Sequence, residues 1–280
     1  MAAMPGMTQC CTLTAVIAVL CALTVLERCF PLRRRTHPAR PRLLVNGFLS
    51  LSAYSAAAAL VKPASLATLG WTADRSIGLL RLIAAPWWLE LALGFLLLDI
   101  SFYYWHRLNH RVPFLWRFHN VHHIDPDLDA STGFRFHFGE VAFSAGFRVV
   151  QVAAIGPALS TFLLYELIFQ IETYFHHANL RLPVLVERAL GILIVTPRMH
   201  GIHHSQFHAE TDSNYSVVFS VWDRLHRTYR GGISQDAITI GVLGYREPDD
   251  NSFASALLMP FRMQRDYWRG KEARSEPASQ

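Results

Sequence analysis

Charge is scarce in this sequence. Only 17% of its 280 residues are charged, 51% are hydrophobic, and mean hydropathy is +0.20. So little charge cannot clothe an ordinary soluble domain, and the chain reads as a membrane protein. Lysine is nearly missing: Lys62 and Lys271 are the only two, so the net charge of +5 rests on clustered arginine. No nucleic-acid motif or aromatic-plus-basic stacking pattern accompanies that charge, which leaves orientation in the membrane and contact with anionic lipid. Cysteine is confined to Cys10, Cys11, Cys21 and Cys29, in or beside the first apolar stretch. They form no C-x-x-C pair and no spaced framework, so a cysteine zinc site and a disulfide scaffold are both excluded. Their reading is small apolar residues in a membrane helix.

Histidine, by contrast, is abundant and patterned. Eight of the fourteen fall into three boxes, His106-Arg-Leu-Asn-His110, His119-Asn-Val-His122-His123 and His200-Gly-Ile-His203-His204. The first box spaces its histidines i, i+4 and the others i, i+3, i+4, which places each set on one helical face. A lone histidine is most often a satisfied core or surface residue, but independent structural histidines have no reason to share a period. Neutral imidazole is the commonest protein metal ligand. Eight donors exceed what one ion can use, so the pattern predicts two metals side by side in an all-nitrogen shell.

Hydropathy organises the rest. Residues 10–26 form a first apolar segment without a basic leader, so it reads as an uncleaved span. Arg28, Arg33, Arg34, Arg35, Arg40 and Arg42 follow, among helix-breaking Pro31, Pro38 and Pro41. By the positive-inside rule this loop is cytoplasmic. Residues 43–61 read as a second span, 62–82 as an amphipathic or loop connection, and 86–105 as a third span that delivers His106 to the cytoplasmic end. Residues 141–175, broken at Gly156-Pro157, suit a helical hairpin that enters and leaves on one face, returning His176 and His177 to the other boxes. Residues 182–195 are too short to span and fit the interface. Residues 271–280 read as a disordered tail. The expected architecture is an all-α integral membrane protein, a transmembrane helical bundle with a cytoplasmic histidine-rich di-metal cap. It divides into N-terminal helices and basic loop (1–85), a catalytic domain (86–230) and a C-terminal cytoplasmic segment (231–280).

Imidazole suits zinc, copper, iron and nickel alike. A structural zinc site needs only four ligands, and two-metal hydrolytic sites recruit bridging carboxylates. The boxes contain none, although Asp99, Asp125, Asp127, Asp129 and Glu140 lie near them. An all-histidine pair suits iron, and the lipid setting suits a hydrophobic substrate attacked at an unactivated C–H bond.

Several motifs, in order, resemble the fatty acid hydroxylase/sterol desaturase superfamily. They are Asp99-Ile-Ser-Phe-Tyr-Tyr-Trp-His106-Arg-Leu-Asn-His110, Trp116-Arg-Phe-His119-Asn-Val-His122-His123 and Phe134-Arg-Phe-His137-Phe-Gly-Glu140. His177-Ala-Asn179-Leu, Thr196-Pro-Arg-Met-His200-Gly-Ile-His203-His204, Asp212-Ser-Asn214-Tyr215 and Trp222-Asp223-Arg224-Leu225 continue the series. The resemblance covers roughly residues 97–229. Ser216 stands where the family usually has glycine, and His226-Arg227 where it commonly has Phe-Gly, which affects local turns and no box.

The resemblance implies a membrane-bound non-haem di-iron oxygenase that uses O2 as co-substrate and two electrons to hydroxylate or desaturate a sterol, fatty acyl or related lipid. It implies iron ligands at His106, His110, His119, His122, His123, His200, His203 and His204, with His177, or His176 in its place, and His137 added. Asp99, two helical turns before His106, is expected to hold a ligand ring by its N–H. Asn179 and Asn214 are candidates for similar orienting roles. No cytochrome b5-like or flavin segment is present, so electrons are expected from a separate donor, a cytochrome b5-like protein, a ferredoxin or a reductase. The arginine-rich, lysine-poor composition suggests a bacterial cell membrane rather than the endoplasmic reticulum. The competing class is a non-catalytic membrane metal-binding protein or transporter, but transporters place ligands within their spans near the midplane, and these boxes lie beyond the span ends.

Overall fold

The computed structural model describes residues 5–268, with side chains from residue 14 onward; the side chains of Cys10 and Cys11 and the expected tail at 271–280 fall outside what is described. Among the described residues the chain is helical, with three isolated bridges and no strand. The helices that position the site are α1 (Pro5–Cys29), α2 (Ala39–Ala56), α3 (Lys62–Arg75), α4 (Trp87–Arg111), α5 (Pro113–His123), α6 (Phe138–Ile155), α7 (Leu159–His177), α8 (Val184–Leu193) and α9 (Pro197–His203).

Among the described residues, three stretches are long and apolar enough to cross a membrane: Ala39–Leu82, Trp87–Arg111 and Phe138–Ile155. The first corrects the expected connection over 62–82, because the helix does not stop at Val61. Pro63 lacks an N–H and would break a regular α-turn. Just ahead of it the backbone widens into a π-turn, Ala57–Val61, which absorbs the misfit. The helix then resumes as α3, burying Ser65, Thr68, Leu69 and Thr72.

The stretch 141–175 folds, as expected, into two helices broken at Gly156-Pro157, α6 and α7, of which only α6 is among the apolar spans. Gly156 takes the left-handed conformation (φ 63°) that closes α6, and Pro157 follows. Here the backbone of Gly78 crosses Gly156 so closely that a side chain on either would strike the other. α8 leaves Val184, Leu185, Ile192 and Leu193 exposed, as an interfacial helix would.

At the opposite end of the bundle the basic loop folds back over the histidines. Arg42 is buried and bonds Asp125 at 2.9 Å and also Asp129. Asp127 accepts the amides of Thr36 and His37, and Asn46 bonds Asp125 and Ser131. The three aspartates after the second box therefore bind the loop and do not face the histidines. Arginine loop and histidine boxes share one end of the molecule.

Candidate metal centre

Prolines aim the boxes. His106 and His110 lie in the last turns of α4. Pro113 forces Val112 into an extended conformation (φ −95°, ψ 112°) and occupies the first turn of α5, so the chain turns sharply and restarts as helix. That turn folds the second box back onto the first. α7 ends at His177, and Pro197 starts the short α9 that carries His200 and His203, with His204 at its C-cap.

The rings converge on two points rather than one. His106, His110, His119, His123 and His203 form one group; His122, His177, His200 and His204 form the other. Within each group one ring nitrogen per residue lies within 4.8 Å of the rest. Each three-histidine box is split between them. Its i, i+4 pair enters one group and the residue between enters the other: His119 and His123 against His122, His200 and His204 against His203.

Hydrogen bonds set the ring tautomers. The Nδ1–H of His106 donates to Tyr215 O at 2.7 Å, that of His203 to Ser213 O at 2.7 Å, and that of His177 to Thr173 O at 2.6 Å. His122 Nδ1 donates to Arg135 O at 3.2 Å, and His119 Nδ1 to the Glu140 carboxylate at 2.9 Å. In each case Nε2 is left as a bare lone pair facing the centre. Nevertheless His122 Nε2 and His177 Nε2 lie 3.0 Å apart, with His200 Nε2 at 2.9 Å from His177 and His204 Nε2 at 3.1 Å from His200. The first two nitrogens have no proton to share, so their approach is repulsive unless a cation sits between them. About 3 Å is also the spacing of adjacent nitrogens bound to one ion at ~2.1 Å. The residues therefore fit a metal pair.

Burial keeps the rings in their ligand form. Loss of solvent, then the neighbouring imidazoles, hold His122, His123, His200 and His204 well below the usual histidine range. Burial lowers His203 to about 3, against the Ser213 carbonyl, which raises it. All are neutral at pH 7 and free to bind metal.

Other predicted residues are placed differently. His137 joins neither group: its Nδ1 accepts the Gly139 amide as the cap of α6, and its Nε2 donates to Leu257 O at 3.0 Å. Both nitrogens face away from the metal centre. His176 lies against His200, ring centroids 4.1 Å apart, outside both groups. Asp99 touches no ligand ring; it accepts Val218 N, Phe219 N and Trp222 Nε1. It acts at one remove, anchoring the chain just beyond the Tyr215 carbonyl that holds His106. Asn214, at φ 52°, donates to Met199 O and Arg230 O, bracing α9. Asn179 pairs with both main-chain groups of Arg33, at 2.8 and 2.9 Å, tying the end of α7 to the basic loop. Sequence reasoning missed the carbonyls of Arg135, Thr173, Ser213 and Tyr215. The motif Asp212-Ser-Asn214-Tyr215 was the available signal for two of them.

A largely apolar cavity of about 220 Å³ opens between α2, α4, α6 and α7, directly beside the centre. Ala53, Phe102 and Phe169 line it, the π-turn contributes Ala57 and Val61, and His106, His119, His122, His177 and His200 border its metal end.

Residues 91–228 match the sequence profile of the fatty acid hydroxylase family. The chain is 28% identical over 176 residues to an ornithine lipid hydroxylase of Rhizobium tropici, covering 63% of this chain and 51% of that protein. It is 30% identical over 156 residues to an alkylglycerol monooxygenase of Xenopus tropicalis, covering 53% and 33%. It is also 30% identical over 139 residues to human cholesterol 25-hydroxylase, covering 48% and 49%. The chain thus spans between a third and a half of the length of these curated relatives. No solved structure matches it.

Proposed function

We propose, from the membership of residues 91–228 in the fatty acid hydroxylase family, that the chain is a membrane-embedded, O2-dependent lipid hydroxylase with two non-haem irons. The observation that carries this reading is the pair of imidazole groups bordering an apolar cavity inside a helical bundle. The proposed iron ligands are His106, His110, His119, His123 and His203 on one side and His122, His177, His200 and His204 on the other. Bound iron supplies the reduction of O2 and the attack on an unactivated C–H bond.

The chain's own contribution is placement. The cavity takes up a hydrocarbon segment from among the spanning helices, and its apolar walls exclude water from the reacting carbon. Carbonyl and carboxylate partners at Nδ1 fix the tautomer and orientation of His106, His119, His122, His177 and His203 before the substrate arrives. Glu140 adds negative charge behind His119, which strengthens that ring as a donor. Asp99 and Asn214 are positioning residues for the chain segments that hold His106 and α9. Hydroxylase and monooxygenase relatives favour insertion of oxygen over desaturation, on a lipid of this membrane. The basic loop at the histidine end supports a cytoplasmic site, where a separate electron donor would dock.

The test is oxygen labelling. Cells producing the chain under ¹⁸O2 should accumulate a lipid one oxygen-18 heavier, absent from cells producing His177→Ala. The purified chain should carry about two irons. An unchanged lipid profile with iron bound in full would sink the assignment.

A further inference from the structure

A second cleft, of about 400 Å³, lies outside the metal centre and is lined by Arg28, Arg33, Arg34, Arg35 and Arg181, with Glu27 and Asp236 the only acids. Glu27 is already committed: its carboxylate accepts the amides of Ala130 and Asn179, each at 3.1 Å, and bonds Arg35 at 3.2 Å. The cleft therefore carries a large positive excess.

Arg33 sits at its floor, only 7% exposed. Its Nη1 donates to Gln235 Oε1 at 2.5 Å and to Pro197 O at 3.3 Å, while its Nε and Nη2 are buried without any partner. Two buried donors of a guanidinium left unpaired are costly, because each has lost water without gaining a protein partner. Burial and nearby Arg198 lower its pKa to about 10, so it remains charged at neutral pH. A guanidinium with two unpaired N–H groups, on a residue that lines an arginine-rich cleft, is the chemistry that phosphate oxygens match.

The surroundings indicate depth. Leu26 and Phe30, at the end of α1, and Val184 and Leu185, at the start of α8, are exposed apolar residues flanking the cleft. Apolar surface on both sides of a basic cleft fits the level at which lipid phosphates lie.

We propose that this cleft is a binding site for a phosphate group, seated on Arg33 and enclosed by Arg34 and Arg181. The phosphate belongs either to an anionic phospholipid headgroup or to free inorganic phosphate. Its occupant neutralises the orphaned donors of Arg33, whose main chain is clasped by Asn179 and whose Nη1 holds the first residue of α9. The site does not depend on the oxygenase reading.

Native mass spectrometry of the full chain in mild detergent tests it, with dioctanoyl phosphatidic acid, dioctanoyl phosphatidylcholine and inorganic phosphate as probes. Phosphatidic acid should bind more tightly than phosphatidylcholine. The double variant Arg34→Gln/Arg181→Gln, both on the rim, should bind it more than tenfold more weakly, since each arginine near an anionic headgroup is worth about fivefold. Arg33→Gln should do the same, and Arg40→Gln, outside the cleft, should change nothing. Displacement of phosphatidic acid by millimolar inorganic phosphate assigns the site to free phosphate; resistance assigns it to the headgroup. Equal binding of the two lipids, or equal loss in Arg40→Gln and the double variant, overturns the proposal. Iron counted in the same samples should stay constant, separating loss of this site from loss of the metal centre.

Discussion

The two histidine groups draw on the same boxes yet have different surroundings. Behind the group of five stand carboxylates: Glu140 on His119 at 2.9 Å, and Asp212 3.8 Å from His110 Nδ1. Behind the group of four, His122 and His177 rest on the neutral carbonyls of Arg135 and Thr173. The larger group thus has more donors and more negative support. The smaller has fewer ligands and contributes three of its four rings, His122, His177 and His200, to the cavity wall. On the proposed reading, the first group holds its metal firmly and the second leaves room for the co-substrate. One set of local motifs has been given two electrostatic settings by what packs behind it.

The largest expected effect breaks the smaller group. His204→Ala should remove about half the bound iron and reduce lipid oxidation far beyond the ~10- to 100-fold that outer partners typically cost. His110→Ala, which still leaves four histidines, should keep both irons and fall within that range. Metal analysis and product counting on the two variants check this, and a reversed order would end the asymmetry.

Next comes the carboxylate. Glu140→Gln keeps a polar group beside His119 but removes its charge. Chelator competition should find one iron bound ~10- to 100-fold more weakly and the other unchanged. Equal weakening of both would mean that the groups are not electrostatically distinct.

Removing the metal should erase the difference. Both metal-free groups then contain buried imidazoles, among them His122, His123, His200, His203 and His204, held by desolvation below the unfolded value of about 6.5. The unfolded chain binds protons first, so stability present above pH 6.5 is lost as pH falls towards the folded values. His203 alone, at about 3 when folded, should cost about 2 kcal/mol by pH 5. Thermal melts of the metal-free protein should therefore be flat between pH 7 and 8 and fall steadily below 6.5. A melting temperature unchanged down to pH 5 would contradict the burial of these rings.

Much of this was legible beforehand, because spacing and hydropathy are local properties. Eight ligand candidates and the break between α6 and α7 followed from periodicity and from Gly156-Pro157; the resemblance added His177. What failed to show had tertiary causes. The stretch 62–82 reads in sequence as an amphipathic or loop connection, but the π-turn at Ala57–Val61 lets the helix continue past Pro63. Asp99 shares a face with His106, but the returning segment 218–222 claims its carboxylate. His137 stands amid a motif of chemical residues, yet its two nitrogens cap α6 and hold Leu257.

The sequence by itself determined that imidazoles would gather at one end of a membrane bundle, since helical period and arginine placement act over a few residues. Which imidazole joined which group was decided by the fold alone. A box presents its rings within one arc of a helix, and nothing in its spacing divides i, i+4 from i+3. That division appears only when α4, turned back at Pro113, meets α7 and α9, so that rings as many as 97 residues apart, His106 and His203, enter one group.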